Sequence, residues 1–183
     1  MKKGKLFIIA GPSGSGKDTL VNEVISRDAT LRLSKSCTTR KMRNVEKDNP
    51  KYHFLTCEEF ETMLENDEFL EYNVFLDNYY GTPKKPVDEW MKSGYNVILE
   101  IDVNGADTIR QKMPEAIGIF IMPPSMDILK ERLFKRASEN TYEVEKRMKQ
   151  AEIEIQDASK FNYIIINDKI EDAVRQILEI VSK

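Results

Sequence analysis

Cysteine, tryptophan and histidine are scarce in this chain of 183 residues, with two, one and one of each. Cys37 and Cys57 are too few for a disulfide framework and lack the paired CxxC spacing of a metal site, which suits a reducing compartment. Glycine (8) and proline (7) lie well below the density of disordered or fibrous chains. No stretch approaches the ~20 apolar residues of a membrane span. The apolar run Leu6–Ala10 behind the basic start stops at Gly11-Pro12, too short for the h-region of a secretory signal. Neither sign of charge dominates: 28 basic residues against 31 acidic ones leave a net charge of −3, which excludes a uniformly basic coat for nucleic acid. The expectation is a cytoplasmic protein with no membrane or nucleic-acid partner. At 40% apolar and 32% charged, the chain is long enough to bury one sizeable core as a single domain.

Apolar runs at Leu6–Ala10, 96–101, 117–122 and 163–166 alternate with segments of helical periodicity. Such runs, apolar throughout, read as strands of a parallel sheet covered on both faces. After the last run, Asp168 with Glu171 three residues on reads as a capping box ahead of Ile170, Val174, Ile177, Leu178 and Val181. Two stretches interrupt the alternation. Residues 33–82 carry shorter strands rich in aromatics, with one amphipathic helix introduced by Thr56 and Glu59. Residues 125–158 carry no strand signal and read as a helical pair over the sheet edge, with Ile128, Leu129 and Leu133 giving one helical face and Val144, Met148, Ala151 and Ile155 another. The remaining segments, 1–32, 83–124 and 159–183, form the core. Basic residues gather in both interruptions: six against two acidic ones between Lys35 and Lys51, and seven against four between Lys130 and Lys149.

Between the first strand and the first helix lies Gly11-Pro12-Ser13-Gly14-Ser15-Gly16-Lys17-Asp18-Thr19, a G-x-x-x-x-G-K pattern in the strand–loop–helix setting that its mechanism needs. The glycines let successive backbone N–H groups point inward at a phosphate, and the helix N-terminus adds partial positive charge. Lys17 can reach the terminal phosphates as a point charge. Asp18 stands where a Ser or Thr usually ligates Mg²⁺. A carboxylate is a hard oxygen ligand that magnesium accepts, so Asp18 is expected to meet the metal; the alternative is an acid placed in the first helical turn, where the dipole favours it. Thr19 offers a neighbouring hydroxyl, one position away from the usual geometry.

Beyond the phosphate loop the chain carries 34–40 (Ser-Lys-Ser-Cys-Thr-Thr-Arg), Arg43, Glu46, Tyr52, Phe54, 68–71 (Glu-Phe-Leu-Glu), 79–82 (Tyr-Tyr-Gly-Thr), 100–105 (Glu-Ile-Asp-Val-Asn-Gly), 123–125, Arg132, Arg136, Arg147 and Asn167-Asp168. In the order and spacing of these segments, over nearly its whole length, it resembles the guanylate kinases, enzymes that phosphorylate GMP from ATP. The resemblance implies an α/β P-loop NTPase fold in three layers with a parallel central sheet, in which 33–82 is a small α+β GMP-binding insertion and 125–158 a helical lid. It implies ATP and GMP as substrates, with Mg²⁺ as cofactor. By the same resemblance Arg40 and Arg43 clamp the GMP phosphate, a task suited to planar guanidinium groups, and Tyr52 and Tyr80 donate to it. Glu71 accepts from guanine N1–H and the 2-amino group, two donors that adenine lacks. Ser36 and Thr82 hold the guanine edge, Glu46 orients the arginines and Asp102 the base. Arg132, Arg136 and Arg147 close over the triphosphate, where charge neutralisation carries much of the catalysis, and Asn167 touches adenine. On structural grounds alone those lid arginines pair instead with Glu131, Glu139 or Glu143.

The chain departs from the family at three places: the loop 44–50 lacks glycine, Glu100 replaces a frequent Asp, and Ala137 replaces a frequent Gly. A relative that phosphorylates ribose 1,5-bisphosphate also carries Asp after the loop lysine, which keeps that acceptor as an alternative. A phosphopeptide-binding scaffold domain is the other, although such domains typically have a degraded phosphate loop. His53, Trp90 and the eight methionines read as structural.

Overall fold

The computed structural model describes residues 3–42, 44–48, 50–75, 77–135 and 141–183. The first apolar run forms β1 (Leu6–Ala10), buried at every position, and α1 (Lys17–Arg27) follows the phosphate loop. Next come β2 (Leu31–Ser34), β3 (Cys37–Thr38), β4 (His53–Phe54), α2 (Cys57–Glu65), β5 (Phe69–Phe75) and β6 (Asn78–Pro83). The chain continues through α3 (Lys84–Lys92), β7 (Asn96–Glu100), α4 (Val103–Lys112), β8 (Ile117–Met122), α5 (Met126–Lys135) and α6 (Thr141–Gln156). It ends with β9 (Tyr163–Ile166) and α7 (Ile170–Val181). Among the described residues no helix is long and apolar enough to cross a membrane.

The central sheet has the order β2-β7-β1-β8-β9 and is parallel throughout. Alternation along β1 sends its side chains to two different cores. Leu6, Ile8 and Ala10 pack with Val87 and Met91 of α3 and Val103, Ala106 and Ile109 of α4. Phe7 and Ile9 pack with Leu20, Val21 and Val24 of α1 and Val174 and Ile177 of α7. These are the three layers. β2 carries Leu33 and Ser34 into this sheet by pairing with β7, so the second sheet, ordered β4-β3-β6-β5, begins at Cys37. Its own core stacks Phe60 between Phe69 and Tyr79, with ring centroids 4.4 and 5.0 Å away.

Thr56 and Glu59 form the expected reciprocal capping box on α2. The box expected at Asp168 and Glu171 does not form. α7 starts with Lys169 as its cap and no side-chain hydrogen bond there, and Glu171 instead accepts two bonds from Arg27 of α1, at 2.8 and 2.9 Å. The helical pair α5–α6 buries Leu129, Leu133, Val144 and Ala151 between its members. It closes over the phosphate loop rather than along the sheet edge: a Cβ on Gly14 would meet Leu129 and Leu133 at 3.0 and 3.1 Å. The edge strand β9 accordingly leaves Ile164 and Ile166 exposed.

Candidate active site

The loop between β1 and α1 turns on glycines. Gly16 sits at φ 91°, ψ 17° as the cap of α1, a left-handed conformation that L side chains rarely adopt. A Cβ there would also collide with the amide nitrogen of Asn167, so a larger residue would both strain the backbone and push Asn167 away. Asn167 Nδ2 donates to the Ser15 carbonyl at 2.8 Å. Lys17 folds its ammonium back over the loop and donates to the carbonyls of Gly11 and Pro12 at 2.5 and 3.0 Å. Burial lowers its pKa, with Glu100, Asp18 and Glu154 pulling the other way. Among the described residues the buried Ser15 Oγ has no hydrogen-bond partner, and a bound oxygen would satisfy it.

The helical pair reaches the loop with two of the three predicted arginines. Arg132 donates to the carbonyls of Ser15 and Asn167 at 3.4 and 3.1 Å. Arg147 donates to Ser13 Oγ at 3.1 Å. Arg136 lies outside the described residues. Farther along the α6 face that carries Arg147, Gln150 donates to Glu154 at 3.1 Å. Burial raises the Glu154 carboxyl, opposed by Gln150 and by the charge of Lys17. Glu154 is a carboxylate at the phosphate loop that sequence reasoning missed; its spacing from Arg147 on one helix was the available signal.

A second charged group stands on the other flank of Lys17. Lys51, from the segment before β4, pairs with Asp18 at 2.7 Å and with Glu100, at the end of β7, at 3.1 Å. Burial pushes the Asp18 carboxyl up, but its hydrogen bond with Glu100 and the charge of Lys51 outweigh this and hold it below the usual carboxylate range. Burial pushes the partner Glu100 up, and the hydrogen bond with Asp18 adds to it. Lys51 was seen in the sequence only as one member of a basic cluster, because its partners are distant along the chain. Among the described residues no cluster of three or more Asp, Glu, His or Cys forms a ready metal cage. Magnesium does not require one: it binds through one or two carboxylates plus substrate phosphates, and Asp18 with Glu100 supplies that donor set beside the loop.

The acceptor side is assembled from β3, β4, β5, β6 and α4. Glu71 on β5 is only 5% exposed, and it accepts from Thr82 Oγ1 on β6 at 2.6 Å. Burial raises its pKa to about 6, against the opposing hydrogen bond from Thr82. A Cβ on Gly105 would stand 2.9 Å from Glu71 Oε2, so the glycine admits the carboxylate at the start of α4. Asp102 caps that helix, accepting from the Gly105 backbone at 2.7 Å and from Asn73 at 3.1 Å. Arg40 is held bidentate by Glu46 at 3.0 and 2.7 Å, and its guanidinium lies 5.4 Å from the Tyr52 ring. Tyr52 meets Tyr80 edge to face at 5.8 Å. Ser36 lies at the same strand ends, its carbonyl accepting from His53 at 2.9 Å. Arg43 lies outside the described residues. Cys37, buried nearby, has its thiol pushed up to about 11 by burial, which keeps it protonated and inert.

Comparison with known proteins finds relatives over nearly the full length of the chain. The guanylate kinase family model matches residues 3–183. Curated guanylate kinases from Caldanaerobacter subterraneus subsp. tengcongensis and Clostridium acetobutylicum are 45% and 47% identical, each over 98% of this chain and 87% and 86% of their own lengths. A crystal structure of guanylate kinase from Anaplasma phagocytophilum superposes with a TM-score of 0.82 at 31% identity, covering 99% of this chain and 86% of that one. Shikimate kinase from Bacteroides thetaiotaomicron, at 16% identity and a TM-score of 0.53 over 98% of this chain and 99% of its own, shares the fold alone. The chain belongs to the guanylate kinase family.

Proposed function

We propose that the protein transfers the terminal phosphoryl group of ATP to the phosphate of GMP, giving ADP and GDP, in the cytoplasm. The observation that carries this reading is Glu71: a carboxylate buried to 5% exposure, with one oxygen taken by Thr82 and no cationic partner within hydrogen-bond reach among the described residues. A buried charge left so poorly paired is costly, and guanine, with donors at N1 and the 2-amino group, repays that cost while adenine does not.

The roles rest on the family resemblance, supported by the placement of the described side chains. The Gly11–Thr19 loop wraps the phosphates of ATP in backbone N–H groups, and Lys17 turns from its loop carbonyls to the phosphate oxygens. Arg132 and Arg147 stand at the loop rim and neutralise charge as the phosphoryl group moves, with Arg136 as a third member of the lid. Asn167 braces the loop through Ser15 and borders the adenine. On the acceptor side Arg40 and Arg43 bind the GMP phosphate; Glu46 holds Arg40 in plane until substrate arrives, and Tyr52 and Tyr80 donate their hydroxyls. Ser36 and Thr82 fix the guanine edge, and Asp102 keeps α4, and with it Gly105, against Glu71. Asp18 and Glu100 are the residues that would hold Mg²⁺, which would supply neutralising charge to the triphosphate. The reaction needs no covalent intermediate, so positioning and the exclusion of water do the work.

A ribose bisphosphate acceptor leaves Glu71 with Thr82 as its one donor, and a phosphopeptide ligand gives Lys17 and its loop no triphosphate to hold. A coupled turnover assay at fixed ATP and Mg²⁺ with GMP, AMP, UMP, CMP and ribose 1,5-bisphosphate tests the reading. GMP is expected to be used in strong preference to all others. Equal use of AMP, or preference for the sugar bisphosphate, overturns it.

A further inference from the structure

Lys51 joins three parts of the molecule that are far apart in sequence. It sits one residue before Tyr52 in the insertion, its ammonium pairs with Asp18 in the first turn of α1, and the same nitrogen reaches Glu100 at the end of β7. Glu100 is the more enclosed partner, with its side chain 11% exposed. Together with Ser34, Lys35 and Tyr52 these residues line a cavity of about 190 Å³ between α1 and the insertion. The segment is tied a second time by Lys35, which donates to the Pro50 carbonyl at 2.9 Å.

We propose that Lys51 is a positioning residue for the acceptor nucleotide: anchored by Asp18 and Glu100, it fixes the start of β4 and so the place of Tyr52 at the GMP phosphate. The inference rests on the GMP reading given above. Its physical basis is the short reach between the parts. Tyr52 follows Lys51 directly, so the direction in which the Lys51 side chain is pulled sets where the backbone delivers the phenol. Two carboxylates on the rigid core, one on a helix and one on a strand, pull from the side of the phosphate loop. Charge-assisted pairs at this spacing are the strong class of hydrogen bond, and they hold the insertion against the core without any substrate. Asp18 therefore acts on both nucleotides: on the ATP side through its place after Lys17, and on the GMP side through Lys51.

The test is calorimetric titration of GMP in the presence of a chelator and without ATP, so that neither turnover nor metal contributes. Lys51→Met is expected to weaken GMP binding by roughly tenfold, the scale set by losing a charge-assisted anchor. Asp18→Ser is expected to weaken it several-fold, although Asp18 lies on the donor side. The double variant is expected to bind no worse than Lys51→Met, since both changes cut one link, and Lys51→Arg is expected to restore most of the affinity. Circular dichroism melting of each variant reports whether the fold is kept; should Lys51→Met fail to fold, Asp18→Ser and Lys51→Arg carry the test. Affinity unchanged or tightened in Asp18→Ser overturns the proposal, because Lys51 would then act on GMP directly or not at all. Additive losses in the double variant overturn it as well. Absence of GMP binding by the unaltered protein would instead overturn the acceptor reading itself.

Discussion

The donor loop and the acceptor pocket are built by opposite means. The loop draws nine consecutive residues from one strand–helix junction, and its contacts are largely backbone: Lys17 donating to Gly11 and Pro12, Asn167 to Ser15, Arg132 to Ser15 and Asn167. The pocket gathers Ser36, Tyr52, Glu71, Tyr80, Thr82 and Gly105 from separate segments, and its contacts are between side chains, several of them ionisable. A phosphate can be bound by backbone amides that any sequence possesses, so long as glycines permit the turn. A base must be read by side chains, so that wall holds a carboxylate whose burial costs stability. The comparison predicts that changes in the loop abolish chemistry, whereas changes in the pocket alter selectivity, pH dependence and stability together.

The largest effect is expected at Lys17. Lys17→Ala should lower kcat by roughly 10³-fold, the scale of losing a preorganised charge at a transferring group, with the melting temperature little changed. Retained turnover would break the donor half of the comparison. Next is Glu71→Gln, which keeps an acceptor for Thr82 but turns an amide toward guanine. It should reduce kcat/KM for GMP by about 10²-fold, the loss expected for charged hydrogen bonds to a buried group, and narrow the gap to AMP.

The same substitution should stabilise the protein above neutrality. The folded-state pKa of Glu71, about 6, lies above the ordinary 4.5, so the native state holds a proton that the unfolded chain releases between those values. The favourable contribution is present below pH 4.5 and is lost as pH rises through 6. At pH 8 the ionised carboxylate then costs about 2 kcal/mol at most. Glu71→Gln should recover part of this in denaturant melts at pH 8 and none at pH 4. Equal effects at both pH values would show that burial of the charge is not what separates the two variants.

Titration of GMP binding against pH sharpens the acceptor half. Only the ionised Glu71 accepts from both guanine donors, so affinity should fall up to tenfold per pH unit below about 6. Glu71→Gln should remove that dependence. The smallest effect is expected at Asp18: Asp18→Ser should keep turnover while shifting the Mg²⁺ concentration for half-maximal rate by a few-fold, read in a metal titration at saturating nucleotide. An identical curve would show that the carboxylate plays no part in metal use.

Legibility in the sequence followed the same division. The loop stood out because its residues are contiguous and its glycines have a backbone reason, and the alternating apolar runs named every strand of the central sheet except β2, whose Leu31–Ser34 mixes apolar and polar residues where the equally short β9 is apolar. The acceptor residues were reachable through resemblance alone, since no local period links Ser36 to Thr82 and Glu71. Lys51 was hidden for the same reason: only the fold brings it to Asp18 and Glu100. At Asp168 and Glu171 local chemistry was misleading, because Arg27 on a neighbouring helix competes for the Glu171 carboxylate and wins it with two hydrogen bonds. Tertiary charge partners override local caps where the helix end is solvent-facing and the cap is worth only about 1 kcal/mol.

A crystal structure of the protein with GMP bound bears most directly on the central claim. The account predicts the purine lying between β5 and the start of α4, with N1 and the 2-amino group within hydrogen-bond distance of the Glu71 carboxylate. A base lodged elsewhere, with the Glu71 side chain still bonded to Thr82 alone, would contradict it.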